Sequence, residues 1–311
     1  MGKLLLLNFQ CFLIATLVLF GAAFPVNNTE DDFDFDTMFL PPTTTQRVIH
    51  QDVKGPDTSV CGVRRMTDPD SSINPSRETL FGANPWVVGI YSKDTGKYIA
   101  AGTLIRYDAL LTSAQALADI PQDQLLVEAG NWDRLSEVES LPHLNRSVRS
   151  IDVNENLVAL VHLDTPFYPT LPHIVPACLP RKSDAAYTEK SCQTVGWGQP
   201  KINGSASDRM WFKKYSVMSR EDCDYYLGED PNLGYGKFCA TDADNMFSPR
   251  NIGGGLFCAE NETVIAGIAL SSGGWEPENE AVLFASVPHY LDWILDKLSP
   301  YNGAELQVEI I

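Results

Sequence analysis

Positive charge is scarce in this sequence. Its 311 residues carry 23 lysines and arginines against 40 aspartates and glutamates, a formal net charge of −17. Nucleic-acid binding depends on cations that neutralise phosphates, so a DNA or RNA partner is excluded. Metal-binding side chains are also thin. There are five histidines and no Cys-x-x-Cys pair, which argues against a zinc site; no metal and no cofactor is expected. Beyond residue 24 no apolar run approaches the ~20 residues that a membrane helix needs. No internal repeat is visible. With 22 glycines, 20 prolines and 44% apolar residues, the composition fits neither collagen, nor a coiled coil, nor a disordered chain. What remains is a globular chain long enough for one large domain or two small ones.

The first stretch is different in kind. Met1-Gly2-Lys3 precedes an apolar run from Leu4 to Phe24, with Gly21-Ala22-Ala23 near its end. A basic start, an apolar middle and a small-residue exit mark residues 1–23 as a secretory signal peptide, cut near Ala23; the alternative is an uncleaved signal anchor. A secreted, extracellular product is therefore expected. Cleavage removes Cys11 and leaves Cys61, Cys178, Cys192, Cys223, Cys239 and Cys258. An even number in an oxidising compartment implies disulfides, whose pairing the spacing leaves open. Asn-x-Ser/Thr triplets at Asn27, Asn145, Asn203 and Asn261 fit the same route as glycosylation acceptors.

Residues 24–72 read as an acidic arm and linker. Between 24 and 60 seven acids oppose two bases, with Glu30-Asp31-Asp32-Phe33-Asp34-Phe35-Asp36 and Pro41-Pro42-Thr43-Thr44-Thr45 inside. Such a segment buries too little apolar surface to order itself, and a solvated spacer is the simplest role for it. The acidic run lacks the spacing of a calcium loop. From about residue 80 short β-type runs alternate with turns: 86–91, 125–129, 157–163 and 264–270. That pattern predicts an all-β barrel or sandwich. Near the end, Tyr290, Leu291, Ile294 and Leu295 fall on one face of a predicted helix. His162 sits between Val161 and Leu163 on a strand, where a structural role is expected. His143, His173 and His289 lie near loops or prolines.

In their order along the chain, several motifs resemble the chymotrypsin-like serine peptidase family. They are Pro85-Trp86-Val87-Val88, Ala101-Gly102-Thr103-Leu104-Ile105, Leu111-Thr112-Ser113-Ala114, Thr194-Val195-Gly196-Trp197-Gly198, Gly253-Gly254-Gly255-Leu256-Phe257-Cys258 and Tyr290-Leu291-Asp292-Trp293-Ile294. The resemblance covers residues 73–298 and leaves 299–311 as a tail. It implies an all-β fold of two Greek-key six-stranded β-barrels with a C-terminal helix and a cleft between the barrels. It also implies disulfides Cys61–Cys178, Cys192–Cys258 and Cys223–Cys239. Two further cysteine pairs of the family are absent together: Ala100 and Ala116 stand at one, Ser248 and Gly273-Gly274-Trp275 at the other.

Peptide cleavage in this family needs a hydroxyl that attacks, an imidazole that takes its proton and a carboxylate that orients the imidazole. The resemblance places Gln115 at the histidine, Leu157 at the carboxylate (or the equally uncharged Asn156, one residue earlier) and Ile252 at the serine. An amide is no general base near neutral pH, and an alkyl side chain offers no nucleophile. Arg250 stands where a glycine N–H would face the oxyanion, and Asn251 where an aspartate would meet a new N-terminus. Met246 or Phe247 occupies the base of the specificity pocket, and Val282 its wall. Ser271-Ser272-Gly273-Gly274 falls on the family's substrate strand, with no base placed for it. Residues near Ile73 occupy the family's cleavage site without a preceding basic residue; Arg77-Glu78 is a displaced alternative.

Cys61-Gly62-Val63-Arg64, Phe81-Gly82-Ala83-Asn84-Pro85-Trp86, Ala129-Gly130-Asn131-Trp132-Asp133 and Leu163-Asp164-Thr165-Pro166-Phe167 resemble the arthropod serine protease homologues related to prophenoloxidase-activating factors. Those usually carry a clip domain, which is not expected here because residues 24–60 hold no cysteine. The resemblance implies a non-catalytic extracellular protein that binds proteases, zymogens or prophenoloxidase in an immune or melanisation cascade. The alternatives are a secreted recognition, matrix or reproductive-fluid protein and, last, a residual serine endopeptidase. Peptide N-glycosidase treatment of the secreted chain is expected to lower its mass in steps, one for each sequon that is used.

Overall fold

The computed structural model describes residues 61–66, 77–136, 139–182, 191–198, 207–227, 234, 236–242, 251–258, 261–273 and 281–299. Six strands form a first closed barrel: β1 (Val87–Ser92), β2 (Tyr98–Arg106), β3 (Ala109–Ser113), β4 (Leu125–Ala129), β5 (Leu144–Asn154) and β6 (Val158–Leu163), in the order β1-β2-β3-β6-β5-β4. Six more form a second: β7 (Ser191–Gly196), β8 (Trp211–Val217), β9 (Lys237–Asp242), β10 (Gly255–Cys258), β11 (Asn261–Gly273) and β12 (Ala281–Ser286), in the order β10-β11-β12-β9-β8-β7. Closure pairs β1 with β4 and β7 with β10, so neither sheet leaves an unpaired edge. The two Greek-key barrels and the C-terminal helix are those the resemblance implied.

The strands follow from side-chain alternation and branching. In β4 Leu125, Val127 and Ala129 point inward while Leu126 and Glu128 are half-buried. β3 and β6 are buried along their whole length. Their inner face lines the barrel and their outer face meets the rest of the domain, hence the unbroken run Val158-Ala159-Leu160-Val161. β5 was not legible as a strand. Arg146, Ser147, Arg149, Ser150 and Asp152 interrupt its apolar residues, and most of its side chains are half-buried or exposed.

Each barrel has its own interior. Val88, Ile90, Leu104, Leu110, Val127 and Val161 fill the first. Tyr215, Leu256, Ala266 and Phe284 fill the second. A third apolar cluster draws on both barrels, with Trp86, Leu160, Trp197, Phe257, Ile268 and Tyr290 among its members. Each such leucine or isoleucine contributes about 1.5–3 kcal/mol by leaving water.

Three helices accompany the strands in the described residues: α1 (Ala114–Leu117), α2 (Arg220–Leu227) and α3 (Val287–Leu298). In α3 the buried stripe is Val287, Tyr290, Leu291, Ile294 and Leu298. Leu295, assigned to that face from sequence, is only partly buried, because the stripe drifts and Leu298 completes it. Polar contacts hold α3 to the first barrel. Tyr290 donates to Glu155 Oε2 at 2.8 Å, Lys297 Nζ lies 3.7 Å from Asp152 Oδ1, and Arg106 Nη1 donates to the Leu298 carbonyl at 3.1 Å. That last bond satisfies a carbonyl that a helix end leaves without an intrahelical partner. Arg106 is buried and paired with Asp108 through two further bonds.

His162 and His173 are buried, with side chains bonded to Asp152 and to the Pro142 carbonyl. Burial pushes both imidazoles below the usual histidine pKa, and these hydrogen bonds only partly oppose it. The unfolded chain therefore takes up protons at a higher pH than the folded one. Stability is expected to be full above about pH 6.5 and to fall as the pH drops through and below that value. Urea denaturation midpoints at pH 7.5 and 5.5 check this, with a His162→Gln/His173→Gln variant expected to show a weaker dependence.

Candidate functional site

The turn of residues 251–254 is the centre of the site. Gly254 N–H donates to the Asn251 carbonyl at 2.9 Å and closes it. Ala101 N–H of β2 donates to the Ile252 carbonyl at 3.1 Å, and Gly253 N–H donates to Ala269 of β11 at 2.8 Å. The turn is thus pinned between the two barrels. Gly253 has φ +83°, and a Cβ there would lie 2.1 Å from Thr112 Oγ1 and 2.4 Å from the Ala101 carbonyl oxygen. Only glycine allows both the left-handed backbone and this approach.

The same contacts bring the three assigned positions together. Gly253 abuts Thr112 and Ser113 at the end of β3. The chain then enters α1, where Gln115 stands exposed. Ala114 N–H, one residue before it, donates to the Leu157 carbonyl at 2.9 Å. Gln115, Leu157 and Ile252 therefore gather where β3, β6 and the 251–254 turn meet. Their side chains are an amide and two alkyl groups.

Leu157 is 9% exposed and belongs to the apolar cluster shared by the barrels. Leu270 of β11, which sequence reasoning did not single out, is in that cluster too. The apolar run Ile268-Ala269-Leu270 was the available signal. A carboxylate at 157 would stand among alkyl and aromatic groups and lose hydration.

Asn251 is 3% exposed, and its Oδ1 accepts a bond from Gly198 N–H at 2.8 Å. The uncharged amide thus ties the turn to the segment after β7. Val282 is buried in the second barrel's interior, paired on β12 with Ala240 and Ser272. Arg250, Met246 and Phe247 lie outside the described residues.

Over residues 73–294 the sequence matches the trypsin family. The chain belongs to the trypsin family. A curated relative is the serine proteinase stubble of Drosophila melanogaster, 25% identical over 177 residues. The match takes in 53% of this chain and 22% of that protein, so the chain spans well under half of the relative's length. The three disulfides of this trypsin-family chain are Cys61–Cys178, Cys192–Cys258 and Cys223–Cys239. Asn145 is exposed on β5, Asn261 opens β11, and Asn27 and Asn203 lie outside the described residues.

Imidazole and carboxylate do meet elsewhere in this trypsin-family domain. His162 Nε2 lies 3.1 Å from Asp152 Oδ2, with Ser150 opposite on the paired strand. The His162 side chain is 0% exposed, so no substrate reaches it, and a structural histidine is what the geometry describes. His143 Nε2 lies 3.5 Å from Glu128 Oε2. Neither histidine is at the 251–254 turn. Among the described residues no group of three or more His, Cys, Asp and Glu side chains is placed to hold a metal ion.

Leu157→Asp is expected to cost about 3 kcal/mol of stability or more, since it places a charge in the shared apolar cluster. Gln115→His, on the exposed start of α1, is expected to stay within about 0.5 kcal/mol. Urea denaturation of the two variants checks the contrast.

Proposed function

We propose that this chain is a secreted, non-catalytic serine protease homologue. It serves as a binding cofactor or regulator in an extracellular protease cascade of the immune or melanisation type. Its partners on this reading are proteases, zymogens or prophenoloxidase. What supports the proposal is the site's composition: an amide, a leucine and an isoleucine stand where the resemblance puts base, acid and nucleophile. None of them moves a proton or attacks a carbonyl. The apolar surroundings support the same reading. Leu157 and Leu270 are part of the shared interior, and Val282 is drawn into the second barrel's apolar cluster. Three disulfides agree with an extracellular setting. Similarity to an insect serine proteinase supports the arthropod setting.

On this reading the fold survives as a surface for contact, because a protein–protein interface needs shape and hydrogen-bond complementarity and no reacting group. The native chain is expected to give no labelling with a fluorophosphonate probe. Labelling that disappears on boiling would restore the enzyme reading. Crosslinking in body fluid is expected to recover a clip-type protease, a zymogen or prophenoloxidase with the chain. Recovery of none of them would remove the cascade role.

A further inference from the structure

Arg77 is the sole basic residue between Met66 and Trp86. It therefore looks like the target for an arginine-specific protease between the Cys61 disulfide and the first strand. The structure puts it in a poor place for one. The Arg77 carbonyl accepts a bond from Phe212 N–H at 3.0 Å, and Thr79 N–H donates to the Met210 carbonyl at 2.9 Å. Glu78 lies between them in an antiparallel bridge with Trp211 at the start of β8. The segment is in effect a short extra strand. Trp132 Nε1 donates to the Thr79 carbonyl at 2.6 Å.

Side chains clamp this strand from outside. The Arg209 guanidinium lies 3.4 Å from Glu78 Oε2 and 3.1 Å from Asp133 Oδ2, and sits 5.1 Å from the Trp132 ring centroid. Arg77 itself has φ +60°. That left-handed conformation departs from the extended form in which a chain is read by strand addition. The peptide groups such reading would use, the Arg77 carbonyl and both groups of Thr79, are already bonded.

We propose that the Arg77–Glu78 bond is withheld from proteases by the bridge to Trp211 into which it is built. Arg64 and Arg65 are also engaged. Arg64 Nε donates to the Ala83 carbonyl at 3.0 Å and its guanidinium sits 5.4 Å from the Trp86 ring centroid; Arg65 Nη1 donates to the Pro169 carbonyl at 2.6 Å.

The test is limited digestion of the secreted full chain with trypsin, followed by reduction, N-terminal sequencing and mass measurement. No chain beginning at Glu78 is expected. A Glu78→Gln/Arg209→Gln variant is expected to release the Glu78 end at least about tenfold faster, because cleavage tracks local opening. Should that variant fail to fold, hydrogen exchange of the wild-type chain decides. The amides of Thr79 and Phe212 are expected to exchange at least about 100-fold slower than free peptide groups. A Glu78 end released from the native chain as fast as from a urea-unfolded control would overturn the proposal. So would exchange of those two amides at unprotected rates.

Discussion

The structure depends on one shared apolar interior. Each barrel closes on its own side chains, yet Trp86 and Leu160 of the first half and Trp197, Phe257 and Ile268 of the second lie in one cluster. Helix α3 adds Tyr290, Leu291, Ile294 and Leu298 to the same cluster. Burial of apolar surface is non-directional, so it joins the parts without dictating their angles. Directional bonds supply the angles: Arg106 on the Leu298 carbonyl, Tyr290 on Glu155, and the 251–254 turn on Ala101 and Ala269.

That interior also reaches the site. A reacting centre in this fold must hold charge and polarity at the point where the two halves meet. Here Leu157 and Leu270 are in the cluster and Gly253 is pressed against Thr112. The backbone of the turn remains tightly specified although its side chains carry no reactive group. Asn251 shows the same economy. It keeps a bond to Gly198 N–H without carrying a charge. Indole N–H groups extend the bonding outward: Trp211 donates to the Gly198 carbonyl, Trp197 to that of Trp132, and Trp132 to that of Thr79. The segment before the first barrel is thereby joined to the segment that faces the turn.

Much of this was legible in the residues themselves. Runs such as 125–129 and 158–163 betray strands because alternation or continuous branching leaves a barrel wall as the economical way to bury them. The positions of Gln115, Leu157 and Ile252 follow from flanking motifs, and their chemistry follows from their side chains alone. β5 stayed hidden because charged and hydroxyl side chains interrupt its apolar residues, so its pairing depends on neighbours far away in sequence. The α3 stripe was legible as far as Leu295, which packs against the shared cluster; its extension to Leu298 depends on what α3 lies against.

By itself, then, the sequence determined composition, local periodicity and which atoms are available to react, because these belong to single residues and near neighbours. Tertiary structure alone decided that Leu157 is inside the common core, that Asn251 is bonded to Gly198, that His162 is out of reach of solvent, and that Arg77 adjoins a bridge to β8. Burial and hydrogen-bond partnership depend on residues brought together from distant parts of the chain, and no local pattern carries that information.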